Sequence, residues 1–172
     1  MNILVLSCSL DPESRSSLLA RESARTLKTL GAEVTEMDLR NHDLPICDGQ
    51  TCHPDLIGPL RQAIQAADAI VMAVPVYNYD VNAAAKNLIE WTGKTWEGKI
   101  VAFLCAAGGH ASYMSIMSLA NSLMLDFRCL IVPRFVYATG EAFDGDAVSS
   151  PKIRDRIEQL CRETFRLAQA LR

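Results

Sequence analysis

Short apolar runs alternate with helix-period stretches along this chain, and few folds accommodate that order. Residues 3–6, 69–74 and 100–106 are continuous apolar runs, as strands buried on both faces require. Residues 33–39 alternate polar with apolar, the pattern of a half-buried edge strand. A fifth run starts at Cys129, reaches Val132 and extends past Pro133 through Phe135 to Tyr137. The segments between them have helical spacing. Residues 16–30 bring Leu19, Ala20, Leu27 and Leu30 onto one face, and Gly31 is placed to end the helix. Leu56, Leu60, Ile64 and Ala67 mark a second helix. Residues 82–91, with Leu88, Ile89 and Trp91, give a third, and residues 112–125, with Ile116, Leu119, Ala120 and Leu123, a fourth. The last helix follows a Ser150 cap and Pro151, with Ile153, Ile157, Leu160, Cys161, Phe165, Ala168 and Leu171 on one stripe.

Five repeats of strand then helix build a parallel sheet with helices on both faces, wound by right-handed crossovers. Five strands and no further elements suit a flavodoxin-like α/β three-layer sandwich, its five-stranded parallel sheet in the order 2-1-3-4-5. No repeat or linker interrupts the 172 residues, so residues 1–172 are expected to form one domain. A formal net charge of −3 gives no broad surface for nucleic acid, and no apolar run approaches the roughly 20 residues of a membrane span. The N-terminus lacks the basic region of a secretory signal, which points to a cytoplasmic protein with reduced thiols. Cys8, Cys105, Cys129 and Cys161 agree, lying in apolar or periodic segments where a thiol packs as a small hydrophobe.

In such sheets ligands bind beyond the carboxyl ends of the strands, so the loops after the first, third and fourth strands matter most. The first contains Ser9, Ser14, Arg15, Ser16 and Ser17 and runs into a helix. Hydroxyls, a guanidinium and a helix N-terminus together suit a terminal phosphate. Neither G-x-x-x-x-G-K-[ST] nor G-x-G-x-x-G is present, which disfavours a nucleoside triphosphatase and a dinucleotide fingerprint. The bland alternative is that Ser16 or Ser17 only caps the helix. The second loop, Pro75-Val76-Tyr77-Asn78-Tyr79-Asp80, can wall a flat slot with aromatic rings, or can simply be a polar turn. In the third, Gly108 and Gly109 permit close backbone approach to a ligand, and His110 is either a rim donor or an exposed side chain. Cys47, Cys52 and His53 form a weak metal or thiol signal, since no second ligand pair accompanies them.

Pro75-Val76-Tyr77-Asn78, followed by Lys86-Asn87-Leu88-Ile89-Glu90-Trp91, resembles the signature of the NADPH-dependent FMN reductase family. The serine-rich first loop and Gly108-Gly109 are similar to that family's phosphate loop and flavin contact. The resemblance implies bound FMN, reduced by NADPH or NADH, passing electrons to a small acceptor: a quinone, azo compound, metal oxyanion or free flavin. It also implies a homodimer or homotetramer. By position, Ser9, Ser14, Ser16 and Ser17, with Arg15, would hold the phosphate. Pro75, Val76, Tyr77 and Asn78 would line the isoalloxazine, with Gly108, Gly109 and His110 at its other side. Four positions depart from the family pattern: Asp11 stands where an arginine is usual, Tyr79-Asp80 where Gly-Ser is usual, and Asn82 where proline is usual. A flavodoxin-like electron carrier without NAD(P)H activity is the alternative. A chain of this length leaves no room for a separate NADPH domain, so both substrates would use one open flavin face in turn.

Overall fold

The computed structural model describes residues 1–51 and 53–171. In chain order the elements are β1 (Asn2–Ser7), α1 (Arg15–Thr29), β2 (Glu33–Asp38), α2 (Pro54–Ala66), β3 (Ala69–Tyr77), β4 (Asp80–Val81) and α3 (Ala83–Thr92). They continue as β5 (Ile100–Ala107), α4 (Met117–Phe127), β6 (Leu130–Ile131), β7 (Val136–Ala138), β8 (Phe143–Asp144), β9 (Ala147–Val148) and α5 (Pro151–Ala170). The main sheet runs β2-β1-β3-β5-β6, every neighbour parallel, with β7 continuing alongside β5. This is the expected 2-1-3-4-5 winding, and it brings the carboxyl ends of β1, β3 and β5 to one edge.

Strand alternation divides the core in two. Ile3, Val5, Val71 and Leu104 pack with Leu19 and Leu27 of α1 and Ile157 and Leu160 of α5. Leu4, Leu6, Met72 and Phe103 face Leu60 and Ile64 of α2, Leu88 of α3 and Leu119 and Leu123 of α4. Each such side chain contributes about 1.5–3 kcal/mol on leaving water. Trp96, fully buried in a single 3₁₀ turn after α3, donates its Nε1–H to Thr92 Oγ1 at 2.7 Å. Gly31, at φ +88°, ends α1: its N–H bonds to Lys28 O at 3.0 Å and that of Ala32 to Leu27 O at 3.1 Å, a Schellman closure.

The sequence pattern misplaces several details. The sheet has more than five strands, because Pro133 splits the fifth. From Ile131 to Val136 the chain takes five steps while β5 takes only three, from Val101 to Leu104. Two residues therefore bulge out around a proline that has no N–H for the ladder. β4 adds an antiparallel hairpin onto β3, and β8 with β9 forms a separate small hairpin. In α2 it is Ile57 that is buried, while Leu56 is exposed. Leu171 caps α5 outside the core stripe. The segment after the paired glycines opens as a 3₁₀ turn over Tyr113–Ile116, and α4 begins only at Met117.

The Lys-Asn-x-x-Glu-Trp segment has a structural role in α3. Asn87 Nδ2 and Trp91 Nε1 both donate to Pro45 O, at 2.9 and 2.6 Å, and Asn87 Oδ1 accepts from the Cys47 N–H at 2.8 Å. These three bonds pin the long loop after β2. Asn87→Ala is expected to cost about 1–2 kcal/mol, at roughly 1 kcal/mol per net hydrogen bond. Amide exchange at Cys47 should accelerate while exchange in α3 stays slow.

Candidate functional site

At the carboxyl edge of the sheet the three loops close on one cleft of about 740 Å³, within the range of small-ligand sites, roughly 300–1,000 Å³. Ser9, Ser14, Arg15 and Ser16 line it from the first loop, Pro75, Val76, Tyr77 and Asn78 from the second, and Gly108 and Gly109 from the third. Ser17 and His110 do not line it. Asp11, Glu13, Ala106, Ala107 and Ser112 complete the lining; of these, sequence reasoning singled out only Asp11, and as a departure rather than a contact.

The first wall is built by the start of α1. Ser14 caps the helix, accepting from the Ser17 N–H at 3.3 Å, so the cap is neither Ser16 nor Ser17. Ser14 Oγ and Ser16 Oγ lie 2.9 Å apart, and both residues are buried beside Ser9. Ser17 turns away, its hydroxyl donating to Ser14 O at 2.6 Å. The exposed Asp11 folds back on its own loop: Oδ1 accepts from the Glu13 N–H at 2.9 Å, and its own N–H donates to Ser9 Oγ at 3.2 Å. The Arg15 guanidinium lies 5.9 Å from the centroid of the Phe143 ring. It also packs on Gly140, where an added Cβ would come within 3.0 Å of Nη1. The β8–β9 region thus holds the arginine at the cleft.

The second wall is a two-residue hairpin turn. Tyr77 pairs with Asp80 across it, leaving Asn78 at φ +50° and Tyr79 at φ +67°. Asparagine tolerates this region, but a tyrosine there is strained by roughly 1–2 kcal/mol. Asp80 fixes the turn, accepting from the Val81 N–H and from Ser118 Oγ, both at 2.8 Å. Tyr79→Gly is expected to raise stability by about 0.5–1 kcal/mol, the released strain exceeding the freedom a glycine adds to the unfolded chain. Chemical denaturation at equilibrium checks it.

Asn82 ties the first two walls together. Its Nδ2 donates to Cys8 O at 2.7 Å, its N–H donates to Pro75 O at 3.1 Å, and its buried Oδ1 has no partner among the described residues. On the third wall, Tyr137 donates its hydroxyl to Gly109 O and packs edge-to-face with Tyr113, ring centroids 5.5 Å apart. A Cβ built on Gly108 or Gly109 meets nothing within 4 Å, so this end of the cleft is open rather than packed. His110 Nε2 instead lies 3.3 Å from Glu141 Oε1, well out in solvent.

Among the described residues no cysteine lines this cleft. Burial pushes Cys105 and Cys161 up to about 12 and Cys129 to about 11, and burial followed by the Asp38 charge raises Cys8. Among the described residues no group of His, Cys, Asp and Glu could hold a metal ion, and Cys52 lies outside them.

A parallel 2-1-3-4-5 sheet with its cleft over the first, third and fourth strand ends defines the flavodoxin-like class. A solved flavoenzyme NAD(P)H:(acceptor) oxidoreductase from Paracoccus denitrificans superposes with a TM-score of 0.81 at 20% identity, covering 98% of this chain and 97% of that one. The NADPH-dependent FMN reductase family model matches residues 1–144, and the chain belongs to that family. Its relatives include an NAD(P)H-dependent FMN reductase of Pseudomonas aeruginosa, 30% identical over 74% of this chain and 71% of that protein. An NADPH:quinone oxidoreductase of Arabidopsis thaliana is 27% identical over 87% of this chain and 81% of its own length.

Proposed function

We propose that the protein is an FMN-dependent NAD(P)H oxidoreductase that passes electrons from reduced nicotinamide to a small acceptor, quinones first among them. The observation that carries this reading is the convergence of the three loops on a cleft whose first wall offers buried hydroxyls at a helix N-terminus. That donor set fits a phosphate monoester. Ser9, Ser14 and Ser16 bind it, and Arg15 supplies the compensating charge. Pro75, Val76, Tyr77 and Asn78 line the isoalloxazine, and Gly108 and Gly109 leave its far edge clear. Ser17 and His110 stand outside this set. When bound, FMN supplies the two-electron hydride chemistry; the chain's residues bind it, orient it and shape access to its exposed face. The exposed Tyr77 and Tyr79 flank that access.

Residues 1–172 act in this reading as one FMN-binding domain in the cytoplasm. Among the described residues no helix is long and apolar enough to cross a membrane. Two copies associate through the apolar cleft beside α3, where Leu10 and the strongly exposed Ile46 stand.

Absorbance of the purified protein, before and after FMN addition, is the first test, followed by anaerobic mixing with NADPH. Bound flavin that bleaches on mixing, and recovers with a quinone, supports the reading. Protein that takes up no FMN overturns it. Flavin that binds but is not reduced would make the protein a carrier.

A further inference from the structure

The third wall of the cleft is carried by glycines, which do not fix their own peptide planes. Among the described residues one side chain bonds to the main chain of residues 108–111: Tyr137 donates its hydroxyl to Gly109 O. Gly109 belongs to the cleft lining and Tyr137 does not. The bond therefore runs from the rim of the cleft into the protein behind it.

The bulge around Pro133 sets where Tyr137 stands. Pairing with β5 resumes at Leu104 against Val136, which puts Tyr137 opposite Cys105, close to the end of β5 at Ala107. Tyr137 is 7% exposed and belongs to the same core cluster as Cys105 and Ala107. Tyr113 packs on its ring, and Phe135 lies against Tyr113 with centroids 4.7 Å apart. A buried phenol needs a hydrogen-bond partner, and this one takes a carbonyl of the loop above it.

Peptide geometry gives the consequence. No peptide bond among the described residues is cis, and a trans peptide carries its carbonyl and its N–H on opposite sides. Residues 104–106 pair with β3 on one side and with β7 on the other. The cleft, lined by Pro75 and Val76 of β3, lies on the β3 side. A Gly109 carbonyl drawn towards β7 therefore turns the N–H of the same peptide, that of His110, towards the cleft. The His110 side chain is engaged elsewhere, with Glu141 at 3.3 Å. Gly109 would let this plane rotate and put the carbonyl lone pairs in the cleft instead; the bond to Tyr137 opposes that rotation.

We propose that Tyr137 is a positioning residue: by holding the Gly109 carbonyl out of the cleft, it aims the His110 N–H at the edge of the bound flavin ring and raises that ring's reduction potential. The proposal rests on the FMN reading above. A hydride carries two electrons and one proton, so the ring that accepts it from reduced nicotinamide gains one negative charge. A main-chain N–H at the ring edge stabilises that charge without reorganising, and a carbonyl there would oppose it. Hydrogen bonds to charged groups are roughly twice as strong as neutral ones, so the donor favours the reduced ring over the oxidised one.

The test compares wild type with Tyr137→Phe, which keeps the ring and removes the hydroxyl. Oxidised FMN, titrated by fluorescence, should bind only a few-fold more weakly. The reduced ring should lose about tenfold more affinity than the oxidised one. For a two-electron couple that tenfold is a midpoint potential about 30 mV more negative, measured by equilibration with a reference dye. Phe135→Leu is the packing control: it should lower the melting temperature and leave the potential where it is. In wild-type protein the His110 amide resonance should shift on FMN addition and again on reduction with dithionite, and this reading stands even if Tyr137→Phe fails to fold. A potential unmoved in Tyr137→Phe, or a His110 amide indifferent to the flavin and to its reduction, would overturn the proposal. Protein that takes up no FMN counts against the FMN reading instead. The hold on the loop is then read without flavin: one His110 amide resonance in wild type, broadened or doubled in Tyr137→Phe, supports it, and identical resonances in the two proteins overturn it.

Discussion

Ser14→Asp is expected to abolish useful FMN affinity while leaving the protein folded. Aspartate is as good an N-cap as serine, and its charge is favoured at a helix N-terminus. It can still accept from the Ser17 N–H and from the Ser16 hydroxyl, the two groups now facing Ser14 Oγ. The melting temperature should move by only a few degrees. At the cleft the same carboxylate meets the phosphate. Two unit charges about 4 Å apart near a protein surface repel by about 4 kcal/mol, which corresponds to roughly a thousandfold in affinity. Ser14→Ala separates the contributions: it should lose about 1 kcal/mol of stability with the cap and roughly tenfold in affinity with one charge-assisted bond. Fluorescence titration of FMN, with thermal unfolding of the same samples, checks both. If Ser14→Asp binds FMN as tightly as wild type, the phosphate lies elsewhere.

The strand order was readable because it rests on burial. Residues 69–74 and 100–106 carry no polar side chain, and only a central parallel strand tolerates that. The edge position of β2 was readable from its alternation for the same reason. The cap of α1 was not, since Ser14, Ser16 and Ser17 offer the same chemistry and only backbone geometry selects Ser14. The first loop shows the same limit: composition marks it as phosphate-binding but cannot tell that Ser17 opens on the opposite side from Ser16. The holding of Arg15 by Phe143 and Gly140 was equally hidden, because those contacts join residues more than a hundred positions apart. The signature segment was recognised as a pattern. What its Asn87 and Trp91 do, pinning Pro45, emerges only when the loop is folded against α3.

Asn82→Asp should make stability depend on pH in a direction opposite to ordinary acid denaturation. Asn82 is 6% exposed and its Nδ2 donates to Cys8 O at 2.7 Å. A protonated aspartic acid can donate to that same carbonyl, whereas a carboxylate can only face it with like partial charge. Burial and this contact both raise the folded-state pKa above the unfolded value of about 3.9. The folded protein then holds the proton more tightly than the unfolded chain, so stability is kept below about pH 4 and falls as pH rises through the folded-state pKa. An upward shift of two units corresponds to a loss of about 2.7 kcal/mol by pH 7. Asn82→Ala supplies the comparison: it leaves the Cys8 carbonyl without its partner at a cost of about 1–3 kcal/mol that does not vary with pH. Urea denaturation of the three proteins at pH 4 and pH 7 distinguishes them. Because Asn82 also bonds Pro75 O through its backbone, the aspartate should loosen the contact between the phosphate wall and the aromatic wall. FMN affinity should therefore fall with the same pH dependence as stability. A pH-independent Asn82→Asp variant would show that the side chain is not enclosed and that the two walls are held by other contacts.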